Sequence, residues 1–330
     1  MLRPFQRSRR WCAKGGWKTT RPWRIRFCRA TGWKRPKRGS PAGRPTMPAE
    51  LEGSAARGFD PALFQERAGG SAARWLSADL RFHPRIDSTN TYLRTLREEE
   101  FHHGMVALAD EQTGGRGQGS RVWVSEPCAN LLFSIGLRPK SPERLILLTL
   151  TIAERLAGYL SDLLGDPVTI KWPNDVLVKG CKIAGILSET QFRGAQMQRM
   201  VIGVGLNVNQ IDFGDLRHVQ TEGDQNRPLP PASLRGCSGV EWAREPLLAH
   251  LCVLLEQAYG EWESREPELC SKINGRLLGY GEWVAVEVDE RPVGMRKCLG
   301  LTPQGELLML DERMDVERYT HEHIRLHASG

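Results

Sequence analysis

The sequence predicts an α+β fold in which a large domain of strands and helices is followed by a small all-β domain. Apolar residues recur at helical spacing over 143–164 and 245–263, which favours two amphipathic helices. Short apolar runs of strand character lie before and between these helices. Beyond Gly275 the runs return at hairpin spacing, which is typical of a small β-barrel. We divide the chain into an N-terminal extension, a lead-in, a main domain and a C-terminal barrel, over 1–46, 47–80, 81–274 and 275–330.

The positive charge of the chain is concentrated at its N-terminus. The 330 residues have a formal net charge of +7, but residues 1–46 contain fifteen lysines and arginines and no acidic residue. The rest of the chain carries 31 basic and 39 acidic side chains, so it is mildly acidic. The overall charge therefore does not indicate a nucleic-acid-binding protein.

Cysteine usage and hydropathy bear on the compartment. The eight cysteines are scattered singly, with no Cys-x-x-Cys pair and no metal-ligand spacing, a pattern typical of reduced thiols in a cytosol. The longest apolar run, at 145–153, is well short of the ~20 residues that a membrane-spanning helix requires. We therefore expect a soluble, cytoplasmic protein.

The extension and the lead-in have little periodic patterning. Residues 1–46 fit a disordered basic arm, a targeting segment, or a start upstream of the physiological one, with Met47 as the alternative start. We expect a disordered, dispensable extension because no apolar face is present. In the lead-in only 61–64 has a weak helical pattern, which is too little for a helix-turn-helix domain.

Polar residues open the first helix of the main domain. Ser88, Thr89 and Asn90 come just before an apolar run that starts at Tyr92, so one of them is expected to cap a helix. Capping alone would account for these residues. A helix N-terminus also offers amide and hydroxyl groups to a polar ligand.

A glycine-rich loop follows the strand predicted at 105–109. Four glycines within 114–119 let the backbone approach a phosphate, and Arg116 and Arg121 supply positive charge. The loop lacks the Gly-Lys-Ser/Thr ending of a Walker loop and is not a dinucleotide fingerprint. Strand patterning resumes directly after it, at 122–124 and 130–137.

The stretch 171–175 interrupts the central strands. Pro173 has no amide hydrogen and cannot lie inside a ladder, so Asn174 and Asp175 are predicted to turn toward a cavity. Together with Lys171 and Lys182 they form a charged set that is costly to bury unless it meets a charged ligand. This favours an anion site, with ordinary turn chemistry as the alternative. The neighbouring strands are predicted at 168–170, 176–178 and 183–187.

Three further segments complete the prediction. In the strand predicted at 200–209, Gly203 and Gly205 suggest close approach by a ligand or a backbone. The polar, proline-rich segment 210–238 is expected to be a lid or to be disordered. The C-terminal strands are predicted at 282–288, 293–301, 306–310 and 317–326, with turns at 289–292 and 302–305.

Five motifs in this order resemble the biotin–protein ligases of the BirA type. They are Asp87-Ser88-Thr89-Asn90, Glu111-Gln112-Thr113-Gly114-Gly115-Arg116-Gly117, Lys171-Trp172-Pro173-Asn174-Asp175, Lys182-Ile183-Ala184-Gly185-Ile186-Leu187 and Gly203-Val204-Gly205-Leu206-Asn207. Each motif is weak alone, but the combination is specific and, with the C-terminal domain, covers about 85–327. The resemblance implies a mixed β-sheet flanked by helices, related to class II aminoacyl-tRNA synthetases, and an SH3-like C-terminal barrel.

The resemblance also implies the reaction. Biotin and ATP, with Mg²⁺, would form biotinyl-5′-AMP, and biotin would pass to a lysine of the biotin carboxyl-carrier protein of a biotin-dependent carboxylase. The metal ligands stay unassigned, no nucleic acid or membrane partner is implied, and a homodimer stays open. A closing loop is needed because the adenylate hydrolyses in water, and 114–120 and 210–238 are the candidates.

Site residues follow from the same resemblance. The residues implied in catalysis are Lys182, Arg116 and Asp175. The two cations would offset the repulsion between the biotin carboxylate and the triphosphate. Asp175 would accept a proton from the acceptor lysine or orient that lysine, or it only pairs with Lys171. The residues implied at biotin are Ser88, Thr89, Asn90, Gln112, Arg116, Gly117, Gln118, Lys182 and Gly185. Those implied at ATP or the adenylate are Gly115, Arg116, Arg121, Trp123, Lys171, Asn174 and Asn207.

One position departs from the family pattern. The family loop commonly reads Gly-Arg-Gly-Arg-x-Gly, whereas Gln118 stands here at the second arginine. The change removes a cation near the intermediate, so we expect faster escape of the adenylate, unless Arg121 compensates.

Two rival functions remain. A lipoate or octanoate ligase would need a long apolar tunnel, and the polar set Ser88, Thr89, Asn90 and Gln112 disfavours it. A biotin-sensing repressor would need a DNA-binding element, which neither 1–46 nor 48–80 provides. The sequence therefore predicts a ligase that does not regulate transcription.

Overall fold

The larger of the two sheets has seven strands and is mixed. The computed structural model describes residues 51, 57–70, 73–119, 121–194, 196–214, 229–288, 291–320 and 324–327. The extension 1–46, Ser120 and the middle of the 210–238 segment lie outside the described residues. The strands of the main sheet are β1 (Leu80–Ile86), β2 (Met105–Gln112), β3 (Leu131–Leu137), β4 (Val168–Lys171), β5 (Asp175–Val178), β6 (Cys181–Arg193) and β7 (Gln196–Leu206).

Strand pairing gives the order β1-β2-β3-β7-β6-β5-β4. β1 and β2 are parallel and all other neighbours are antiparallel, so the predicted mixed sheet is confirmed. β6 and β7 form the longest hairpin, and it lies in the middle of the sheet. The motifs 182–187 and 203–207 therefore lie side by side, with Gly185 opposite Gly205.

Helices cover both faces of this sheet. The described helices are α1 (Pro61–Gly69), α2 (Thr89–Thr95), α3 (Leu145–Leu164), α4 (Leu234–Ser238), α5 (Arg244–Glu263) and α6 (Leu269–Asn274). On one face, α3 and α5 pack on a large core that contains Val106 and Leu108 of β2. On the other face, α2 packs on a smaller core that contains Met105 and Ala107. This alternation along β2 follows from the two-residue period of a strand. None of the described helices is both long and apolar enough to cross a bilayer.

The predicted helices follow their sequence signals. The leucine stripe of α3 faces the core, with Leu148, Ile152 and Leu156 fully buried. Gly165, at φ +63°, ends α3 in a left-handed conformation that favours glycine. The weak pattern at 61–64 becomes α1, where Asp60 caps the helix and Pro61 takes its first position.

Residues 57–60 of the lead-in are hydrogen-bonded to carboxylates of β2 and α5, one of which is in a buried ion pair. The Arg244 guanidinium lies 2.6 Å from the Asp110 carboxylate, and both side chains are almost fully buried. Asp110 also accepts the amide of Phe59 at 3.1 Å, and Glu245 accepts the amide of Asp60 at 2.9 Å. Since a buried charge is costly unless it is paired and hydrogen-bonded, these contacts fix residues 57–60 to the sheet and to α5.

The C-terminal part of the chain contains a five-stranded antiparallel sheet. Its strands are β8 (Trp283–Val288), β9 (Arg291–Leu301), β10 (Leu307–Leu310), β11 (Val316–Tyr319) and β12 (Ile324–His327), in the order β11-β10-β9-β8-β12. The turn at 302–305 docks on the main domain, where the Gly305 carbonyl accepts the indole N–H of Trp172 at 3.3 Å. Gly305 has φ +92°, and a Cβ there would lie 2.6 Å from the backbone nitrogen of Leu147. The C-terminal sheet is thus in direct contact with the 171–175 stretch.

Several sequence predictions are wrong in detail. Residues 122–124 are not a strand, because the amide of Trp123 bonds to the carbonyl of Gly115 within the loop itself, at 3.0 Å. The single strand predicted at 317–326 is two strands, which pair at opposite edges of the sheet. The 210–238 segment ends in the short helix α4, and Arg291 and Pro292 belong to β9 and not to a turn. β1 and α6 were not predicted, since Pro84 interrupts one pattern and the other is only six residues long.

Candidate functional site

The N-terminus of α2 lies over the middle of the sheet. Ser88 is the capping residue, and its hydroxyl accepts the amide of Thr91 at 3.5 Å, as the sequence predicts for one of the three polar residues. Ser88, Thr89 and Asn90 are each at least 96% buried. Polar groups that are buried to this extent require partners, and those of Thr89 and Asn90 are found on β2, β3 and β6.

A chain of hydrogen bonds runs through this region. Gln112 Oε1 accepts the amide of Thr89 at 2.7 Å, and the hydroxyls of Thr89 and Ser134 are 2.7 Å apart. Ser134 donates its one hydroxyl proton to Asn90 Oδ1 at 2.6 Å, so it accepts from Thr89. Asn90 Nδ2 in turn donates to Glu189 Oε2 at 2.9 Å. This polar chain, Gln112–Thr89–Ser134–Asn90–Glu189, fixes which way each amide faces.

A glycine on β7 makes room for Asn90. A Cβ on Gly203 would lie 2.2 Å from Asn90 Oδ1, closer than real Cβ contacts allow. Gly203 therefore allows the side chain of Asn90 to lie directly against the strand, whereas the sequence suggested close approach by a ligand or a backbone.

The Glu189 carboxylate forms ion pairs with two arginines and also accepts the hydrogen bond from Asn90. Its Oε1 pairs with Arg116 at 2.9 Å and with Arg94 of α2, while the carboxylate is only 17% exposed. Arg116 comes from the glycine-rich loop, so this carboxylate joins the loop to the helix that carries Asn90. The polar chain and the loop thus meet at one residue of β6.

The glycine-rich loop, which we call the flap (residues 113–124, described except Ser120), folds back on itself. Gly117 N–H donates to Arg121 O at 2.8 Å. A Cβ on Gly115 would lie 2.4 Å from Trp123 O, so glycine is needed where the two halves of the flap cross. Gln118 and Arg121 lie at the outer end of the flap, and both have interactions with other residues.

The other end of the flap lies on β6 and β7. The Trp123 ring covers Gly185 and Gly205, where added Cβ atoms would meet the ring at 2.9 Å and 2.5 Å. Lys182 Nζ is 5.3 Å from the centroid of this ring. The indole nitrogen of Trp123 is buried and has no hydrogen-bond partner among the described residues. The flap therefore spans from Glu189 at Arg116 to Lys182 at Trp123.

Lys182 is paired with Asp175. Its ammonium lies 2.5 Å from Asp175 Oδ1, and the two side chains are 28% and 14% exposed. Lys171 is opposite Asp175 in the β4–β5 register and has interactions of its own. The two lysines and the carboxylate that the sequence grouped together therefore do lie at adjoining positions.

Asn174 and Asn207 hold the backbone. Asn174 Nδ2 donates to Ile186 O at 3.0 Å, which ties the 171–175 stretch to β6. Asn207 Nδ2 donates to Ala232 O at 2.9 Å, and Lys182 N–H donates to Pro230 O at 2.7 Å. The returning end of the 210–238 segment is thereby held beside Lys182.

Sequence reasoning missed Ser134, Glu189 and Arg94. Ser134 is the one hydroxyl residue in the buried strand β3, and Glu189 is a half-buried acid near the middle of a long strand. The exception in β3 was visible in the sequence, whereas Glu189 stands among the polar residues 188–191, beyond the strand predicted at 183–187. Arg94 carried no such signal, because an arginine in the last turn of a helix is usual.

Comparison with known proteins supports a family assignment. Residues 82–207 match the sequence model of the Biotin/lipoate A/B protein ligase family. The chain is 33% identical over 249 residues to the bifunctional ligase/repressor BirA of Bacillus subtilis, which covers 70% of this chain and 69% of the relative. It is 34% identical over 188 residues to the biotin–[acetyl-CoA-carboxylase] ligase of Paracoccus denitrificans, covering 55% of this chain and 71% of that protein.

A solved structure has the same fold. The biotin protein ligase of Aquifex aeolicus in complex with biotin and ATP superposes with a TM-score of 0.63 at 26% identity, and the match covers 76% of this chain and 100% of the other. The residues matched by the family model, 82–207, include the polar chain and the flap. The chain therefore belongs to the biotin/lipoate A/B protein ligase family, as a biotin–protein ligase.

Proposed function

We propose that this protein activates biotin with ATP to biotinyl-5′-AMP and transfers biotin to a lysine of a biotin carboxyl-carrier protein. The observation that carries the proposal is the flap, which extends from the polar chain at Glu189 to the ammonium of Lys182. The names of the relatives agree with it. The Aquifex protein binds biotin and ATP, and the Paracoccus protein is named for acetyl-CoA carboxylase.

The biotin site is proposed around the polar chain. A ureido ring presents donors and an acceptor in one plane, which suits hydroxyl and amide groups held in fixed directions. Ser88, Thr89, Asn90 and Gln112 supply such groups at one end of the site. Lys182 would receive the carboxylate of biotin at the other end, with Gly185 allowing close approach. Arg116, Gly117 and Gln118 would cover the bound biotin from the flap.

In the first step the biotin carboxylate attacks the α-phosphorus of ATP. A carboxyl–phosphate bond forms, the bond to pyrophosphate breaks, and pyrophosphate leaves with the electron pair. Lys182 and Arg116 are placed to offset the repulsion between the two anions. Gly115, Arg121, Trp123 and Lys171 are proposed on the nucleotide side. Asn174 and Asn207 would act there through the backbone that they hold.

Mg²⁺ would bind to this protein together with the triphosphate of ATP. The described residues hold no group of three or more histidine, cysteine, aspartate or glutamate side chains placed to bind a metal. Mg²⁺ is commonly bound by one or two carboxylates together with substrate phosphates, and Asp175 is the acidic residue nearest Lys182 in the proposed site. Bound with the triphosphate, the ion would neutralise charge on it.

In the second step the amine of the carrier lysine attacks the acyl carbon of the mixed anhydride. An amide forms, AMP leaves, and the amine loses a proton. Asp175 is proposed to accept that proton or to orient the amine, once the nucleotide phosphate has drawn Lys182 away from it. The returning segment at 229–233, which pairs beside Lys182, is proposed to shield the intermediate together with the flap.

The proposal also covers domains and regulation. We propose a catalytic domain at 81–274 and an SH3-like closure of the C-terminal sheet, in a cytoplasmic enzyme that does not repress transcription. In the described part of the lead-in the only helix of more than one turn is α1, which packs on α5 and so is not free to enter a DNA groove.

The test is incubation of the purified full chain with biotin, Mg-ATP and a carboxyl-carrier domain, read by mass. The carrier should gain the mass of one biotinyl group, and lipoate in place of biotin should add nothing. No gain with biotin, or gain with lipoate, would overturn the proposal. A gel shift with operator DNA, biotin and ATP should show no complex if the repressor function is absent.

A further inference from the structure

We propose that Glu189 is a positioning residue of the ligase site that latches the flap through Arg116 before nucleotide binds. The inference rests on the proposed function for its role in catalysis, but the latch itself is a property of the ligand-free protein. Glu189 lies outside the five motifs, two residues after the Lys182–Leu187 motif ends. The sequence alone therefore indicates no role for it.

The geometry at Glu189 divides its two oxygens between two tasks. Oε2 accepts Asn90 Nδ2 at 2.9 Å, which turns Asn90 Oδ1 toward Ser134. Oε1 takes Arg116 of the flap at 2.9 Å and Arg94 of α2. One carboxylate therefore sets the amide orientation in the proposed biotin site and the position of the flap at the same time.

Arg94 makes the latch reversible. A carboxylate that is only 17% exposed is costly to leave unpaired. Arg94 is fixed on α2, whose last turn is held by Arg199 through the carbonyl of Leu96 at 2.7 Å. When Arg116 moves toward a phosphate, Arg94 remains on Glu189, so the flap arginine can leave without leaving a bare buried charge.

The exposures of the two arginines agree with these roles. The Arg116 side chain is 42% exposed and the Arg94 side chain 31% exposed, so the flap arginine is the one nearer to solvent and to an arriving anion. An ion pair at this exposure is weak enough to exchange with a phosphate, which accepts a stronger charge-assisted hydrogen bond. The Glu189–Arg116 pair that we propose therefore holds the flap in the ligand-free state and is exchanged when a nucleotide phosphate arrives.

The first test is limited trypsin digestion of the ligand-free full chain. Cleavage after Arg116 and Arg121, identified by fragment mass, follows how often the flap is open. Glu189→Gln should speed both cleavages by about threefold or more, and Arg116→Gln should speed cleavage after Arg121 to a similar extent. Glu143→Gln, which removes a carboxylate from an exposed pair with Arg265, should leave both rates unchanged.

The second test is steady-state kinetics of the same variants. Glu189→Gln should raise the KM for biotin by about tenfold and change kcat by less than about threefold, because binding geometry is lost and the reacting groups stay. In the double variant with Arg116→Gln, the KM should rise by less than the product of the two single effects, since both changes break the Glu189–Arg116 pair. Thermal unfolding establishes that each variant is folded.

The two tests separate this inference from the proposed function. If the wild-type protein transfers no biotin, the proposed function fails, but the digestion still decides the latch. Unchanged flap cleavage in Glu189→Gln would overturn the latch, and strictly additive KM effects in the double variant would overturn the coupling between Glu189 and Arg116.

Discussion

At the scale of single residues, the two cations proposed for catalysis are each paired with a carboxylate in the structure. Lys182 forms an ion pair with Asp175, and Arg116 forms one with Glu189. Both cations that are proposed to bind the phosphates therefore already have carboxylate partners. This pairing avoids the cost of placing bare charges in a partly buried site. It also means that an arriving anion must displace a carboxylate from each cation, so selectivity for a highly charged ligand follows from the resting structure.

Lys182→Ala is expected to lower the rate of adenylate formation by at least ~100-fold, equivalent to about 3 kcal/mol of lost charge stabilisation. The measurement is pyrophosphate release with biotin and Mg-ATP in the absence of a carrier. Lys179→Ala is the matched control, because that lysine is 65% exposed and pairs with Asp166 away from the flap. A loss of less than about tenfold in Lys182→Ala would contradict the assigned role.

Gln118→Arg is expected to slow the escape of the adenylate. The substitution restores a cation in the flap, where it can hold the phosphate of the intermediate by a charge-assisted hydrogen bond. The fraction of labelled biotinyl-5′-AMP that stays with the protein through gel filtration reports the effect. Equal retention by the wild type and the variant would show that position 118 does not control escape.

At the scale of elements, the central hairpin of β6 and β7 organises the site. β6 carries Lys182, Gly185 and Glu189, and β7 supplies Gly203 and Gly205 beneath Asn90 and Trp123. Adding side chains at these glycines would push the flap or α2 away from the sheet. The backbone of the hairpin is thus part of the binding surface.

Gly203→Ala is expected to raise the KM for biotin by about tenfold or more, because its Cβ would lie 2.2 Å from Asn90 Oδ1 and must displace that side chain. Gly260→Ala is the control. Gly260 is in α5 with nothing within 4 Å of an added Cβ, and alanine is the better helix former there. This control should keep its KM and unfold at a slightly higher temperature. An unchanged KM in Gly203→Ala would show that Asn90 does not contact biotin.

The sequence predicted elements better where periodicity was long. α3 and α5 were predicted to within two residues, because their patterns extend over whole elements, whereas β6 runs six residues beyond the strand predicted at 183–187. The strand predicted at 122–124 failed, since Trp123 is held by contacts to Gly185 and Gly205 that are distant in the sequence. The sequence motifs indicated only some of the residues in the polar chain. Ser88 to Asn90 and Gln112 belong to motifs, whereas Ser134 and Glu189 join them only through the pairing of β3, β7 and β6.

At the scale of the whole molecule, one apolar core runs from the lead-in to the C-terminal sheet. It includes Phe59 of the lead-in, Leu148 of α3 and Leu307 and Met309 of β10.

Several thiol groups and a phenol group of the protein have pKa values that are raised by burial. Burial raises the pKa of the Cys252 thiol from 9.0 to about 12 and that of the Tyr259 phenol from 10.0 to about 12. Burial likewise raises the pKa values of the Cys128, Cys270 and Cys298 thiols.

These shifts predict loss of stability in alkali. A group whose pKa is raised on folding stabilises the native state fully below its unfolded pKa, and this contribution is lost as the pH rises to the folded value. The free energy of unfolding should therefore fall between about pH 9 and pH 12. Urea unfolding at pH 8 and pH 10.5 measures the fall, and Cys252→Ala should reduce the difference between the two. A free energy that does not change over this range would contradict the burial of these groups.

The hydrogen bond from Trp172 to Gly305 has a practical consequence for anyone shortening the chain. A protein shortened to end after α6 would lose Gly305, whose carbonyl accepts the indole N–H of Trp172. The apolar surface of Val284, Val286 and Leu307 that now seals the core would be removed as well. Deletion from the C-terminus should therefore weaken the lysine-bearing stretch beside Trp172, and enzymologists seeking a minimal catalyst should trim from the N-terminal side.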